Sequence, residues 1–171
     1  MRKKKVKYSI LLFFCSILFF SCNNDSVVYN QYQRIDNTQW RKGQEYYFSF
    51  FIEDNSVPYD LYIDTRNSNL YPYQNLWIFY KEERPIGAEQ TEMMEYTIAD
   101  NSGKWAGSGF SIYHNRLPIK INHYFPYKGR YTVSLTHGMQ TDNLEGIMEI
   151  GLYIKTSSLR SGRIQAEKDE E

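Results

Sequence analysis

Cys22 is the residue whose chemistry the sequence specifies most sharply. It closes the run Leu18-Phe-Phe-Ser-Cys22, in which a small residue stands before a cysteine as lipoprotein-processing enzymes require, although the two phenylalanines are bulkier than the usual pattern. Processing there leaves Cys22 as the first mature residue, carrying lipid on its thiol and amine. The element that must deliver it precedes it: five cations and no acid within Met1 to Lys7, then a run rich in Ile, Leu and Phe from Tyr8 to Phe20. A helix rising ~1.5 Å per residue needs about 20 apolar residues to cross a bilayer core, so this run is too short for a permanent span and reads as a signal peptide.

Elsewhere the chemistry-bearing residues do not assemble into a reaction. His114, His123 and His137 lack metal-ligand spacing and read as loop and sheet-surface histidines. Asp60 and Asp64, on one face of a strand, would stand ~13 Å apart at ~3.3 Å per residue, beyond the reach of a glycosidase pair. Surface solvation is the expected role for them and for Glu82 and Glu83. Asp100-Asn-Ser-Gly103 begins like a calcium loop but lacks its alternating carboxylates and closing glutamate, so a turn is expected. No Gly-Xaa-Ser-Xaa-Gly elbow, phosphate loop or HExxH helix occurs. The reading is of a non-enzyme with no catalytic residue, no metal and no cofactor.

Two loop segments resist a pure turn reading. Asp100 to Gly109 holds three glycines and Trp105, and Asn67 to Asn75 surrounds Tyr71-Pro-Tyr73 with amides. An aromatic ring in a loop either plugs the end of the fold or meets a partner. The plug is the preferred role; Tyr71, Tyr73, Trp105 and Phe125 are the candidates for partner contact.

Composition narrows the partners. The leader removes five of the 20 Lys and Arg and none of the 20 acids, so the mature chain carries a net charge of −5. That argues against nucleic acid and against electrostatic attraction to anionic lipid, leaving the N-terminal lipid as the membrane contact. Of the two cysteines, Cys15 leaves with the leader and Cys22 is consumed by the lipid, so the domain must hold itself together by its core.

All but one of the 16 tyrosines lie beyond Tyr8, and the dominant period is two. Tyr46, Phe48, Phe50 and Ile52 share a face, as do Tyr59, Leu61, Ile63 and Thr65. Asn75 to Tyr80 reads as a central strand, Tyr131 to His137 alternates with Thr132, Ser134 and Thr136 toward water, and Met148, Ile150, Leu152 and Ile154 line one face. Turn clusters separate these runs, and no sustained amphipathic helix intervenes. The expected fold is all-β: two antiparallel sheets in a β-sandwich, jelly-roll or immunoglobulin-like. The expected boundaries are a signal peptide over 1–21, a lipidated spacer over 22–27, the sandwich over 28–156 and a disordered polar tail over 157–171.

Four ordered motifs carry a resemblance: Tyr59-Asp-Leu-Tyr-Ile-Asp-Thr-Arg-Asn-Ser-Asn-Leu-Tyr-Pro-Tyr-Gln-Asn-Leu76, Ala99-Asp-Asn-Ser-Gly-Lys-Trp-Ala-Gly-Ser-Gly109, Phe125-Pro-Tyr-Lys-Gly-Arg-Tyr131 and Leu144-Glu-Gly-Ile-Met-Glu-Ile-Gly-Leu152. Together with the lipidation motif, and out to about Lys155, the chain resembles the gliding-motility lipoprotein GldH family of Bacteroidetes. The resemblance implies a non-catalytic cell-envelope lipoprotein associated with gliding motility and its linked secretion machinery, whose partners are the membrane and other envelope or motility lipoproteins. It carries over no site residue except Cys22. Asn23 stands where inner-membrane retention favours aspartate, so the outer membrane is the expected address. A surface glycan-binding sandwich, suggested by the tyrosines, is the alternative, and an enzyme the third class.

Overall fold

Strand alternation sets the architecture of residues 27–157, the part of the chain described by a computed structural model. The segment β3 (Tyr46–Ile52) buries every second side chain: Tyr46, Phe48, Phe50 and Ile52 face inward, and Tyr47 and Phe51 face outward. The same period builds β4 (Tyr59–Ser68), β5 (Asn75–Glu83), β9 (Gly129–His137) and β11 (Ile147–Thr156). Less regular strands complete the set: β1 (Val27–Arg34), β2 (Gln39–Arg41), β6 (Gln90–Thr97), β7 (Ser108–Gly109), β8 (Ile112–His123) and β10 (Asn143–Glu145). One 3-10 turn, Asp36–Thr38, is interposed, and no helix among the described residues is long and apolar enough to cross a membrane.

The strands form two antiparallel sheets, ordered β1-β11-β4-β8-β7 and β3-β9-β5-β6, with β2 and β10 as a separate ribbon. The inner faces meet in one core that includes Trp40, Phe48, Ile63, Ile78, Val133, Leu144 and Leu152. Setting aside the short β2, β7 and β10, eight long strands remain, and their pairing decides the topology. The first pairs with the last (β1 with β11), the second with the seventh (β3 with β9), the third with the sixth (β4 with β8) and the fourth with the fifth (β5 with β6). A single long hairpin rolled upon itself gives this order, which is the jelly-roll and not the immunoglobulin arrangement.

The rolling creates two ends. At one, the start of β1 lies beside the end of β11 (Val27 opposite Lys155), Thr156 beside Tyr59 and Tyr59 beside His123. Loops 53–58, 84–89 and 124–128 gather there, tied by the Asn55 side chain donating to the Pro126 carbonyl at 3.2 Å and by Ser157 N donating to the Pro58 carbonyl at 2.9 Å. Ser157, expected in the tail, is therefore docked and buried. The other end carries loops 69–74, 98–107 and 138–142 together with the β2–β10 ribbon. The signal peptide, Cys22 and residues 158–171 lie outside the described residues.

Candidate functional site at the aromatic end

Three of the four candidate contact residues meet at this second end. Tyr71 lies with its ring 5.7 Å from Tyr73 and 6.3 Å from Trp105, and Trp105 in turn lies 5.6 Å from Tyr113. Their exposures differ in a useful way: Tyr71 is 3% exposed, Trp105 is half-buried and Tyr73 is 39% exposed. Tyr71 is thus the plug, its hydroxyl donating to the Asn75 carbonyl at 2.7 Å, and burial pushes its phenol well above the ordinary value. Trp105 rides on the plug and spends its indole N–H on the Asn69 side chain at 3.2 Å.

The loops that hold these rings are stiffened locally. One carboxylate oxygen of Asp100 accepts from the Ser102 backbone at 2.9 Å, the Ser102 hydroxyl at 2.7 Å and the Lys104 backbone at 3.0 Å. Those bonds hold its carboxyl below the ordinary value, the Ser102 hydroxyl foremost, and make 100–104 a self-capped turn. Gly146 lets the Tyr71 loop close down. Its φ is +86°, and a Cβ there would sit 2.3 Å from the Tyr71 nitrogen, so no other residue fits. Beneath lies a sealed amide pair, Asn115 donating to Asn67 at 2.9 Å.

The same end exposes apolar residues that loop composition did not single out: Leu70, Phe110 and Ile112, with Phe110 at 91% exposure. A Cβ on Gly109 would lie 1.9 Å from the Ile112 carbonyl oxygen, so glycine is what permits the tight reversal that holds Phe110 out. Phe125, by contrast, belongs to the opposite end and is 1% exposed, packed among Phe50, Tyr59, His123 and Tyr131 with ring centroids 4.7 to 5.8 Å away. It cannot touch a partner directly; its aromatic character serves the core. The accessible apolar side chains at this end include Tyr73 and half-buried Trp105 over a Tyr71 floor, with Leu70 and Phe110 near them in sequence.

Residues 27–154 match the family described as GldH lipoprotein. The chain belongs to that family. It is 31% identical over 158 residues to the gliding motility lipoprotein GldH homolog of Christiangramia forsetii, covering 88% of this chain and 96% of the relative. It is 29% identical over 159 residues to the gliding motility lipoprotein GldH of Flavobacterium johnsoniae, covering 88% and 98%. Membership places the chain among lipid-anchored proteins of the cell envelope.

Within this GldH-family sandwich three of the four acids expected to be solvated are instead sealed; Glu83 keeps a 45% exposed side chain, with Lys81 at 3.7 Å. Asp64, on the outer face of the five-stranded sheet, is 0% exposed; it takes a two-pronged bond from Arg116 at 2.8 and 2.7 Å and the Tyr32 hydroxyl at 2.6 Å. The Arg116 guanidinium lies 3.6 Å from the centre of the Tyr153 ring, and with Tyr32 it covers the Asp64 carboxylate while its own outer edge stays in solvent. Burial and the bond to Asp64 push the Tyr32 phenol up to about 12. Glu82 is equally buried between the sheets, with Tyr80, Arg84 and Lys120 at 2.6, 2.9 and 3.3 Å. Burial pushes its carboxyl up, but those three donors outweigh it and hold the group below its ordinary value. Asp60 accepts from the Asn122 backbone at 3.1 Å with Lys155 at 3.7 Å.

His137 also departs from the surface expectation. It is 2% exposed, edge-on to Trp40 at 5.5 Å, because it continues the inward series Tyr131, Val133, Leu135. Ser134, expected to face water, is 5% exposed between its ladder neighbours Tyr47 and Lys81. The tyrosines divide in the same way. Tyr46, Tyr59, Tyr71, Tyr80 and Tyr131 are all buried, so a large part of that composition serves the interior.

Proposed function

We propose that this chain is a non-catalytic, lipid-anchored component of the gliding machinery and its linked secretion apparatus, held to the outer membrane through Cys22 and joined to other envelope or motility lipoproteins by its aromatic end. The observation that carries the reading is the match to GldH lipoproteins across the sandwich, combined with an apolar loop cluster on one end of it. The non-catalytic part rests on how the buried carboxylates are used. Both oxygens of Asp64 and of Glu82 are occupied by cations and phenols, which leaves neither free to move a substrate proton.

Crosslinking in intact envelopes, followed by mass spectrometry of the neighbours, tests it. The expected result is recovery of motility or secretion lipoproteins by the wild type and their loss with Tyr73→Ala plus Phe110→Ala, while lipid labelling persists. Recovery of glycan or of polysaccharide-uptake proteins would overturn the reading.

A further inference from the structure

We propose that the end of the sandwich from which β1 begins docks on the bilayer surface, so that the domain stands upright on the membrane with its aromatic loops outward. The inference rests on the Cys22 anchor. Four residues, and so five residue-to-residue steps, separate that cysteine from Val27, and at most ~3.6 Å per step lets them span no more than about 18 Å. The ten residues of β4 rise ~3.3 Å each, so the two ends stand ~33 Å apart. With the Trp105 end turned down, Val27 would be carried beyond its tether. Only the Val27 end or a flank of the sandwich can face the lipid.

Exposed apolar side chains choose between those two. Around the Val27 end, Phe51 is 58% exposed, Ile86 64%, Ile121 50% and Tyr124 58%, with Val28 and Tyr127 near 40%. They come from strand ends of both sheets and from loops 84–89 and 124–128, and tyrosine is a residue that settles at the headgroup boundary. The flanks set more charge among their apolar residues, which on the four-stranded sheet are Tyr47, Phe79 and Met93. The outer face of the five-stranded sheet presents Arg66, Glu149 and the Asp64 network, and that of the four-stranded sheet sets Lys81, Glu83 and Glu95 among its apolar residues. Charges near the docking rim balance, Arg84, Lys128 and Arg130 against Glu53, Asp54 and Glu89, so the contact is apolar and independent of lipid charge.

The test uses the full lipidated protein in zwitterionic phosphatidylcholine vesicles. Because Cys22 carries lipid and Cys15 leaves with the leader, a single introduced cysteine accepts a fluorophore cleanly. Ile86→Cys and Tyr124→Cys report the rim, Met93→Cys a flank and Phe110→Cys the far end. Brominated lipid is expected to remove most of the emission at the two rim positions, in low and high salt alike, and to leave Met93→Cys and Phe110→Cys bright. Quenching at the flank or far end, or at no position on vesicles that still float the protein, overturns the upright docking while leaving the anchor intact. Protein that fails to float and carries no lipid refutes the anchor, and the docking with it.

Discussion

A carboxylate as thoroughly sealed as that of Asp64 survives only while its partners stay in place. Arg116→Ala removes the guanidinium and strands the charge, which should cost about 3 kcal/mol by urea unfolding, with Asp64→Asn in the same background recovering part of it. His137 makes a different statement. Burial lowers its pKa, and the Lys42 charge adds to that against the opposing Trp40 and Arg41 carbonyls. A histidine depressed in the folded state stabilises fully above its unfolded value of about 6.5 and loses that contribution as pH falls through the folded value. Stability should therefore decline as pH is lowered from 7 toward 5, and His137→Phe should flatten that slope in pH-dependent unfolding, leaving the His123 contribution. The inward placement of His137 was legible from the alternation beginning at Tyr131. The pairing of Glu82 was not, because Lys120 lies 38 residues away and only the folded sandwich joins them. At Cys22 the local motif alone supports a prediction: Cys22→Ala should abolish incorporation of a fatty-acid analogue, and undiminished label would refute the anchor.

Strands announce themselves when apolar and polar side chains alternate along the chain, which is why β3, β4, β9 and β11 were readable even though much of the outer face of β4 is itself buried. β1 reads Val-Val-Tyr-Asn-Gln-Tyr-Gln-Arg, an edge strand whose inward positions are only half-buried, so its alternation carries little contrast. β8 contains Pro118, a residue that argues against a strand interior, and it is tolerated where the β4–β8 register shifts near Leu61 and Tyr62. The loops were half-legible: composition marked the Tyr71 and Trp105 segments, but Phe125, four residues before the turn glycine Gly129, proved to be core. Two substitutions separate these roles. Phe125→Ala should cost about 4 kcal/mol and leave partner crosslinks in the surviving folded fraction unchanged. Trp105→Ala, half-exposed, should cost about 2 kcal/mol and diminish those crosslinks. Gly146→Ala should fall between them, at about 3 kcal/mol, since a methyl group at positive φ meets the Tyr71 backbone directly.

At the scale of the molecule, fold class was legible from periodicity, while topology was not, because nothing local tells β1 that its neighbour is β11. That pairing has a consequence in time. The five-stranded sheet places β11 between β1 and β4, so β1 has no partner strand in that sheet until β11 arrives. A chain synthesised from its N-terminus delivers β1 first and β11 only after every other strand described. Such long-range closure is slow, on the order of milliseconds to seconds for sandwiches of high contact order. Through that interval the unpaired strand edges of a chain already bound for the membrane are open to other chains, the condition under which extended segments aggregate. The architecture thus leaves the edges of β1 and β4 open until the ten-residue β11 closes the sheet between them.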